Sequence, residues 1–100
     1  MNESLAVALL TNLLKNAFVH NIDGGHIRIT VTKNGITFRN SGVEHPLNKE
    51  HIFERFYQGS KKEGSTGLGL AIADSICRLQ HLNIKYYFEQ NEHCFEISQS

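Results

Sequence analysis

Leu5–His20, LAVALLTNLLKNAFVH, is the stretch on which the fold turns. Leucine, alanine, asparagine and lysine with no glycine or proline predict a helix. Asn2 or Ser4 is the expected cap. Only Thr11 and Lys15 offer a narrow polar edge, so the helix is expected to lie sandwiched between other elements. Asn12, Asn16 and His20 recur every fourth residue and therefore share one stripe of it. Amides in an apolar helix are costly unless something satisfies them. Two readings are open: core asparagines bonded to nearby backbone, or ligand-site residues. An asparagine oxygen is a neutral, hard donor suited to Mg²⁺ with phosphates.

Outward from this helix, Asp23-Gly24-Gly25 breaks the chain. Ile27, Ile29 and Val31 then alternate with Arg28, Thr30 and Thr32, which predicts a half-buried strand. Asn34-Gly35 signals a hairpin, Ile36–Arg39 returns, and Asn40-Ser41-Gly42 ends the return strand. Residues 41–49 read as loop, and residues 49–57 as a short helix carrying Ile52, Phe53 and Phe56 on one side. Residues 58–67 are a Gly/Ser/Lys loop. A second long helix is expected from Leu68 to Leu82, then a hairpin of Ile84–Glu89 and His93–Ser98 around Gln90-Asn91-Glu92. This order predicts an α+β, two-layer α/β sandwich with a mixed or antiparallel sheet and its helices on one face.

Composition narrows the function. One hundred residues make a single domain, and 40% apolar residues argue against disorder. The longest apolar run, Leu5–Leu10, is far too short for a membrane span, and Met1-Asn2-Glu3-Ser4 is acidic where a signal peptide is basic. Ten basic residues balance ten acidic ones, so the footprint of a nucleic-acid binder is missing. Any anion must be held by local geometry. Cys77 and Cys94 form no C-x-x-C, which suits a reduced, cytoplasmic setting. His51 and Glu54 share a face, but two ligands without a third make no metal site.

Gly64-Ser65-Thr66-Gly67-Leu68-Gly69-Leu70 runs straight into the second helix. Glycines let backbone N–H groups approach phosphate oxygens, and a helix N-terminus adds partial positive charge. No strand feeds this loop and no Lys-Ser/Thr follows it, so it is neither a dinucleotide fingerprint nor a Walker A loop. A phosphate cradle is the better reading than a plain linker.

In this order, the segments resemble the catalytic and ATP-binding domain of two-component sensor histidine kinases, in the GHKL superfamily with the Bergerat fold. Residues 12–16 look like the N box, 40–42 the G1 box, 52–57 the F box and 66–70 the G2 box, with 58–66 as the ATP lid. The resemblance runs from about Leu9 to the C-terminus. It implies that Asn16 coordinates Mg²⁺ on the ATP phosphates, with Asn12 supporting from one turn earlier. Asn40 would face the adenine amino group, Gly42 would admit the base, and His20 would lie near the nucleotide. Thr66, Gly67, Leu68 and Gly69 would line the phosphates, with Lys61 and Lys62 of the lid. ATP-hydrolysing relatives carry Glu where this chain has Asn12, and an amide cannot act as a base. Phosphoryl transfer to a histidine needs none, being positioning plus charge neutralisation.

The resemblance therefore implies ATP and Mg²⁺ as cofactors. The partners would be a dimerisation domain bearing the phosphoacceptor histidine and a response regulator, in a parent anchored in the bacterial membrane. No catalytic residue is expected in this chain, and Glu44-His45-Pro46-Leu47 is not a phosphoacceptor segment because its proline breaks the required helix. The family pattern differs at Asn40 (Asp), Val19 (basic) and Gln58 (Arg), and Val43-Glu44 replaces a second G1 glycine. These departures keep open a degenerate, non-catalytic interaction module; an anti-sigma-type serine kinase is a further alternative. The family's leading helix and strand pair are expected to be missing, which would expose apolar surface on the first helix or the sheet edge and drive self-association.

Overall fold

A computed structural model describes residues 3–21, 24–42, 44, 46–47, 50–54 and 68–99. The order is α1 (Glu3–Val19), β1 (Ile27–Thr32), β2 (Gly35–Asn40), α2 (Gly69–Leu79), β3 (Leu82–Glu89) and β4 (Glu92–Gln99). The strands form one sheet in the order β1-β2-β4-β3, and every neighbouring pair is antiparallel. The expected two-layer α+β architecture is the observed one, with a wholly antiparallel sheet among the described residues.

Side chains alternate between the sheet faces, so the register defines rows. Ile29, Phe38, Phe95 and Tyr86 form one row, and Val31, Ile36, Ile97 and Ile84 the next. Leu9 and Leu13 of α1 and Ala73, Ile76 and Cys77 of α2 close over these rows and make the core with Phe38, Tyr86, Phe95 and Ile97. A third row, Ile27, Asn40, His93 and Phe88, continues the same face beyond the core. Polar groups placed on a core-side row are the structural origin of the site.

Several expectations are corrected. The first helix starts at Glu3, so Ser4 lies inside it and cannot cap it; Asn2 lies outside the described residues. That helix is not sandwiched: Val7, Leu10 and Phe18 are exposed, Phe18 at 70%. Nor is β1 half-buried, because its helix-side Ile29 and Val31 are open, Val31 at 75%. Apolar surface is thus exposed on both the first helix and the sheet edge, as the sequence led one to expect.

The second helix stops at Leu79 rather than Leu82. His81 takes φ 57°, the left-handed conformation that ends helices, and Leu82 already belongs to β3. Residues 50–54 form turns, with the Glu54 N–H donating to the His51 carbonyl, and not the expected helix; the rest of 49–57 lies outside the described residues. In the last hairpin Gln90 and Asn91 carry the positive φ values, 52° and 61°, of a two-residue turn, and Glu92 is the first strand residue. In the first hairpin the loop is Lys33-Asn34. Gly35 pairs with Thr32 and is needed for another reason: a Cβ there would collide with the Ile97 carbonyl of β4. Thr32 Oγ1 accepts the Asn34 and Gly35 N–H groups and closes that turn. Cys77 and Cys94 are free and buried, and burial pushes the Cys77 thiol up to about 11.

Candidate functional site

Three elements meet at the polar end of the helix-side face: the second half of α1, the end of β2, and the start of α2. Leu9, Leu13 and Ala17 point α1 into the core, which leaves Asn12 and Asn16 half-buried one turn apart on an adjoining stripe. The Asn12 amide donates Nδ2 to the Ala8 carbonyl at 2.8 Å, so its own helix satisfies the nitrogen. Its Oδ1 turns toward α2, where it lies 3.5 Å from the Cβ position of Gly69. Two motifs remote in sequence are therefore in contact through a backbone with no side chain. The Asn16 carbonyl accepts the His20 N–H at 3.1 Å and ends the helix there.

Asn40 closes β2 and is buried, 3% exposed. Its Nδ2 donates to the Ser41 carbonyl at 2.7 Å. Its Oδ1 is buried with no hydrogen-bond partner among the described residues. A buried acceptor without a donor costs about 1–3 kcal/mol, and a ligand N–H would recover it.

Ser41 fixes the position of that residue. Its hydroxyl accepts the His26 N–H at 2.8 Å and donates to Asn21 Oδ1 at 2.5 Å, while its own N–H donates to the His26 carbonyl. Asn21 Nδ2 donates to the same carbonyl at 3.0 Å. The tail of α1, the start of β1 and the end of β2 are thus tied at one hydroxyl.

Gly42 sits where a Cβ would lie 3.0 Å from the His20 carbonyl and 3.0 Å from the His93 ring. Protein groups already crowd its side-chain position, so a larger residue would have to push them aside by a few tenths of an ångström. His93 is itself buried. Its Nδ1 lies 2.7 Å from the Tyr86 hydroxyl, which accepts the Leu47 N–H at 2.9 Å, and its ring packs against Tyr86 and Phe88.

Beside this wall, Glu92 reaches past β2 to β1. Its carboxylate accepts Arg28 Nε at 3.0 Å and Nη2 at 2.5 Å, and lies 2.8 Å from His26 Nε2. The Arg28 hydrogen bonds, then that of His26 and both positive charges, hold the Glu92 carboxyl below its ordinary value against the opposing effect of burial.

Of the sequence-derived site residues, Asn12 and Gly69 meet at the α1–α2 junction, with Leu68 next to Gly69 in the chain, and Gly42 meets the His20 carbonyl just past the end of β2, which Asn40 closes. Lys61, Lys62, Thr66 and Gly67 lie outside the described residues, as does the whole 58–66 segment. Among the described residues no group of three or more His, Cys, Asp or Glu could hold a metal ion. Ser41, Asn21, His26, Glu92 and His93 were missed from the sequence. His93 had a legible signal: counting by two from Phe95 and Ile97 places it on the core face.

Residues 1–98 match the family model described as histidine kinase-, DNA gyrase B-, and HSP90-like ATPase. The sensor histidine kinase RppB of Synechocystis is 44% identical over 84 residues, covering 75% of this chain and 18% of that protein. The heme sensor protein HssS of Staphylococcus aureus is 40% identical over 90 residues, covering 85% and 20%. The chain thus spans about a fifth of the length of these relatives. The solved catalytic domain of the histidine kinase ThkA matches with TM-score 0.75 and 27% identity over 96% of this chain and 66% of that one. The mycobacterial sensor histidine kinase MprB has the same fold, with TM-score 0.74 and 23% identity over 97% and 72%. Contact between the Asn12 stripe and Gly69, a buried acceptor at Asn40, and these matches together place the chain in the histidine kinase-, DNA gyrase B-, and HSP90-like ATPase family.

Proposed function

We propose that this chain is the ATP-binding part of a sensor histidine kinase, whose full-length form transfers the ATP γ-phosphoryl to a histidine on a separate dimerisation domain and thence to a response regulator. The observation that carries the reading is Asn40 Oδ1, a buried acceptor without a donor among the described residues, where an adenine amino group would sit. The site's residues also suit the phosphates and their cation. Asn16 offers a neutral oxygen of the hard type that Mg²⁺ takes, and Gly69 puts no side chain beside Asn12 at the first residue of α2. Mg²⁺ would neutralise charge on the phosphates; the chain's own residues bind and orient the nucleotide. Asn12 cannot take a proton from water and spends its amide nitrogen on Ala8, which suits transfer to a histidine and not hydrolysis.

The parent is proposed to be membrane-anchored with this domain in the cytoplasm; no helix of the described residues is long and apolar enough to cross a membrane. A second copy of the chain is the proposed occupant of the open β1 edge. Calorimetric titration with ATP, with and without Mg²⁺, tests the central reading: Mg²⁺-dependent binding is expected, and no binding at millimolar ATP would overturn it.

A further inference from the structure

We infer that Asn34 is a site of spontaneous covalent conversion, through a cyclic imide with Gly35, and that the Thr32 hydroxyl holds its rate down. The chemistry needs no nucleotide. Asn34 is the only asparagine of the chain that precedes a glycine, and it is exposed at the tip of the β1–β2 hairpin. The fold itself demands that glycine. A Cβ at Gly35 would run into the Ile97 carbonyl, so no side chain can shield the nitrogen that attacks.

The turn is not the kind that suits a two-residue hairpin. Gln90 and Asn91 of the other hairpin take the positive φ values that match strand twist, whereas neither Lys33 nor Asn34 does. A two-residue turn of the other kind splays the strands it joins. Beside the tip lies an open cleft of about 180 Å³, lined by Lys33, Asn34, Gly35, Leu82, Ile97 and Gln99 among others. It is polar on one side and roomy enough for several waters.

The reaction balances with water as the only co-reactant. Hydroxide takes the Gly35 N–H proton, and the nitrogen attacks Asn34 Cγ to form a new C–N bond. The Cγ–Nδ2 bond breaks, and Nδ2 leaves as ammonia with a proton from water, which returns the hydroxide. Water then opens the five-membered imide at either carbonyl. One opening gives aspartate. The other gives isoaspartate, with an extra methylene in the main chain. In isoaspartate the carbonyl that accepts the Gln99 N–H at 3.4 Å no longer belongs to the main chain, so the tie between the hairpin and the end of β4 is lost.

Thr32 opposes the first step. Its Oγ1 accepts the Gly35 N–H at 3.1 Å and the Asn34 N–H at 3.3 Å. A bonded amide proton is harder to remove, and two bonds to one oxygen pin the peptide that joins the reacting residues.

The test is peptide mass mapping of the full chain over time at mildly alkaline pH. It compares the native protein, Thr32→Val, Thr32→Ser, and native protein unfolded in guanidinium chloride. Asn40-Ser41 is the internal reference, because Asn40 is buried in the fold and also precedes a small residue. Unfolding exposes both asparagines, whereas opening of the hairpin exposes Asn34 alone. The native chain is expected to convert its amide to an acid at Asn34 and to keep Asn40 intact. Thr32→Val retains the β-branched shape but has no hydroxyl, and it should speed conversion at Asn34 by about two- to tenfold, again with Asn40 intact. Thr32→Ser retains the hydroxyl and should convert at the native rate. A native chain unchanged at Asn34 after the unfolded chain has converted there overturns the site. Thr32→Val converting at the native rate, or with Asn40 in step with Asn34, overturns the role of Thr32 while leaving the site standing, as does Thr32→Ser converting as fast as Thr32→Val.

Discussion

The side-chain oxygen of Asn12 lies 3.5 Å from the point where Gly69 would carry a Cβ. That spacing is ordinary van der Waals contact, so an alanine fits the fold. Alanine is also the better helix former by about 1 kcal/mol. The added methyl would nevertheless stand at the α2 N-terminus beside Asn12, in the space proposed for phosphate. Gly69→Ala is therefore expected to raise the melting temperature by a few degrees while weakening ATP at least tenfold. Thermal unfolding and calorimetry on one preparation check both halves, and unchanged ATP affinity would remove Gly69 from the site.

Asn16→Ala probes the proposed cation. Asn16 is half-buried beside Asn12 on α1, with Leu13 and Ala17 holding the helix against the core. Truncation should leave the circular dichroism spectrum unchanged and abolish the Mg²⁺ dependence of ATP affinity. Retained Mg²⁺ dependence would place the cation on other ligands.

Asn40→Asp restores the acid of the family pattern, yet the structure predicts a cost. Asn40 Nδ2 serves the Ser41 carbonyl. A carboxylate has no donor, so its oxygen would face that carbonyl while buried. The nucleotide-free protein is expected to lose about 1–3 kcal/mol of stability in urea unfolding. ATP should bind more tightly, because a charged acceptor makes a bond roughly twice as strong. Stability equal to the native protein's would mean that the Ser41 contact is dispensable.

The elements were legible because their signals are local: periodicity for the helices, alternation for the strands, and two short turn sequences. The Asn12–Gly69 pairing was legible through resemblance alone, since nothing in the spacing of a helix and a remote loop says that they touch. The missed residues act across strands. Glu92 read as a turn residue because Gln90-Asn91 is polar, whereas its role depends on a register that brings Arg28 of β1 within reach. Leu82 read as helix because His81 ends α2 without the glycine that usually marks such a stop. The exposure of Ile29 and Val31 is invisible to alternation, which tells which residues share a face but not whether anything covers that face.

Glu92 makes folding sensitive to acid. Arg28 and His26 hold its folded carboxyl below the ordinary value of 4.5, so between the two values the unfolded chain binds more protons than the folded one. Stability then rises with pH across that window. It is fully present above about pH 5 and is lost as the pH falls through the folded value. Glu92→Gln should cost about 1–2 kcal/mol at pH 7, allowing for the solvent exposure of Arg28, and should flatten the acid side of the stability profile. A profile of native steepness in Glu92→Gln would assign acid sensitivity to other groups.

The open edge of β1 predicts self-association. An antiparallel pairing with a second copy that keeps Ile29 and Val31 on one face is favoured when Thr30 meets its own counterpart. Ile29 then faces Val31 of the other copy, and Arg28 faces Thr32, with no like charges opposed. Shifting by two residues in one direction would set Ile29 against Lys33, and by four in the other would set Arg28 against Arg28. The native chain is expected to sediment as a concentration-dependent dimer. Val31→Lys puts a charge on the 75%-exposed helix-side position, a substitution that blunts edge strands at little cost to the fold. It should shift the equilibrium to monomer with the melting temperature nearly unchanged. A native chain that sediments as a monomer at every concentration would sink the pairing, as would a dimer indifferent to Val31→Lys.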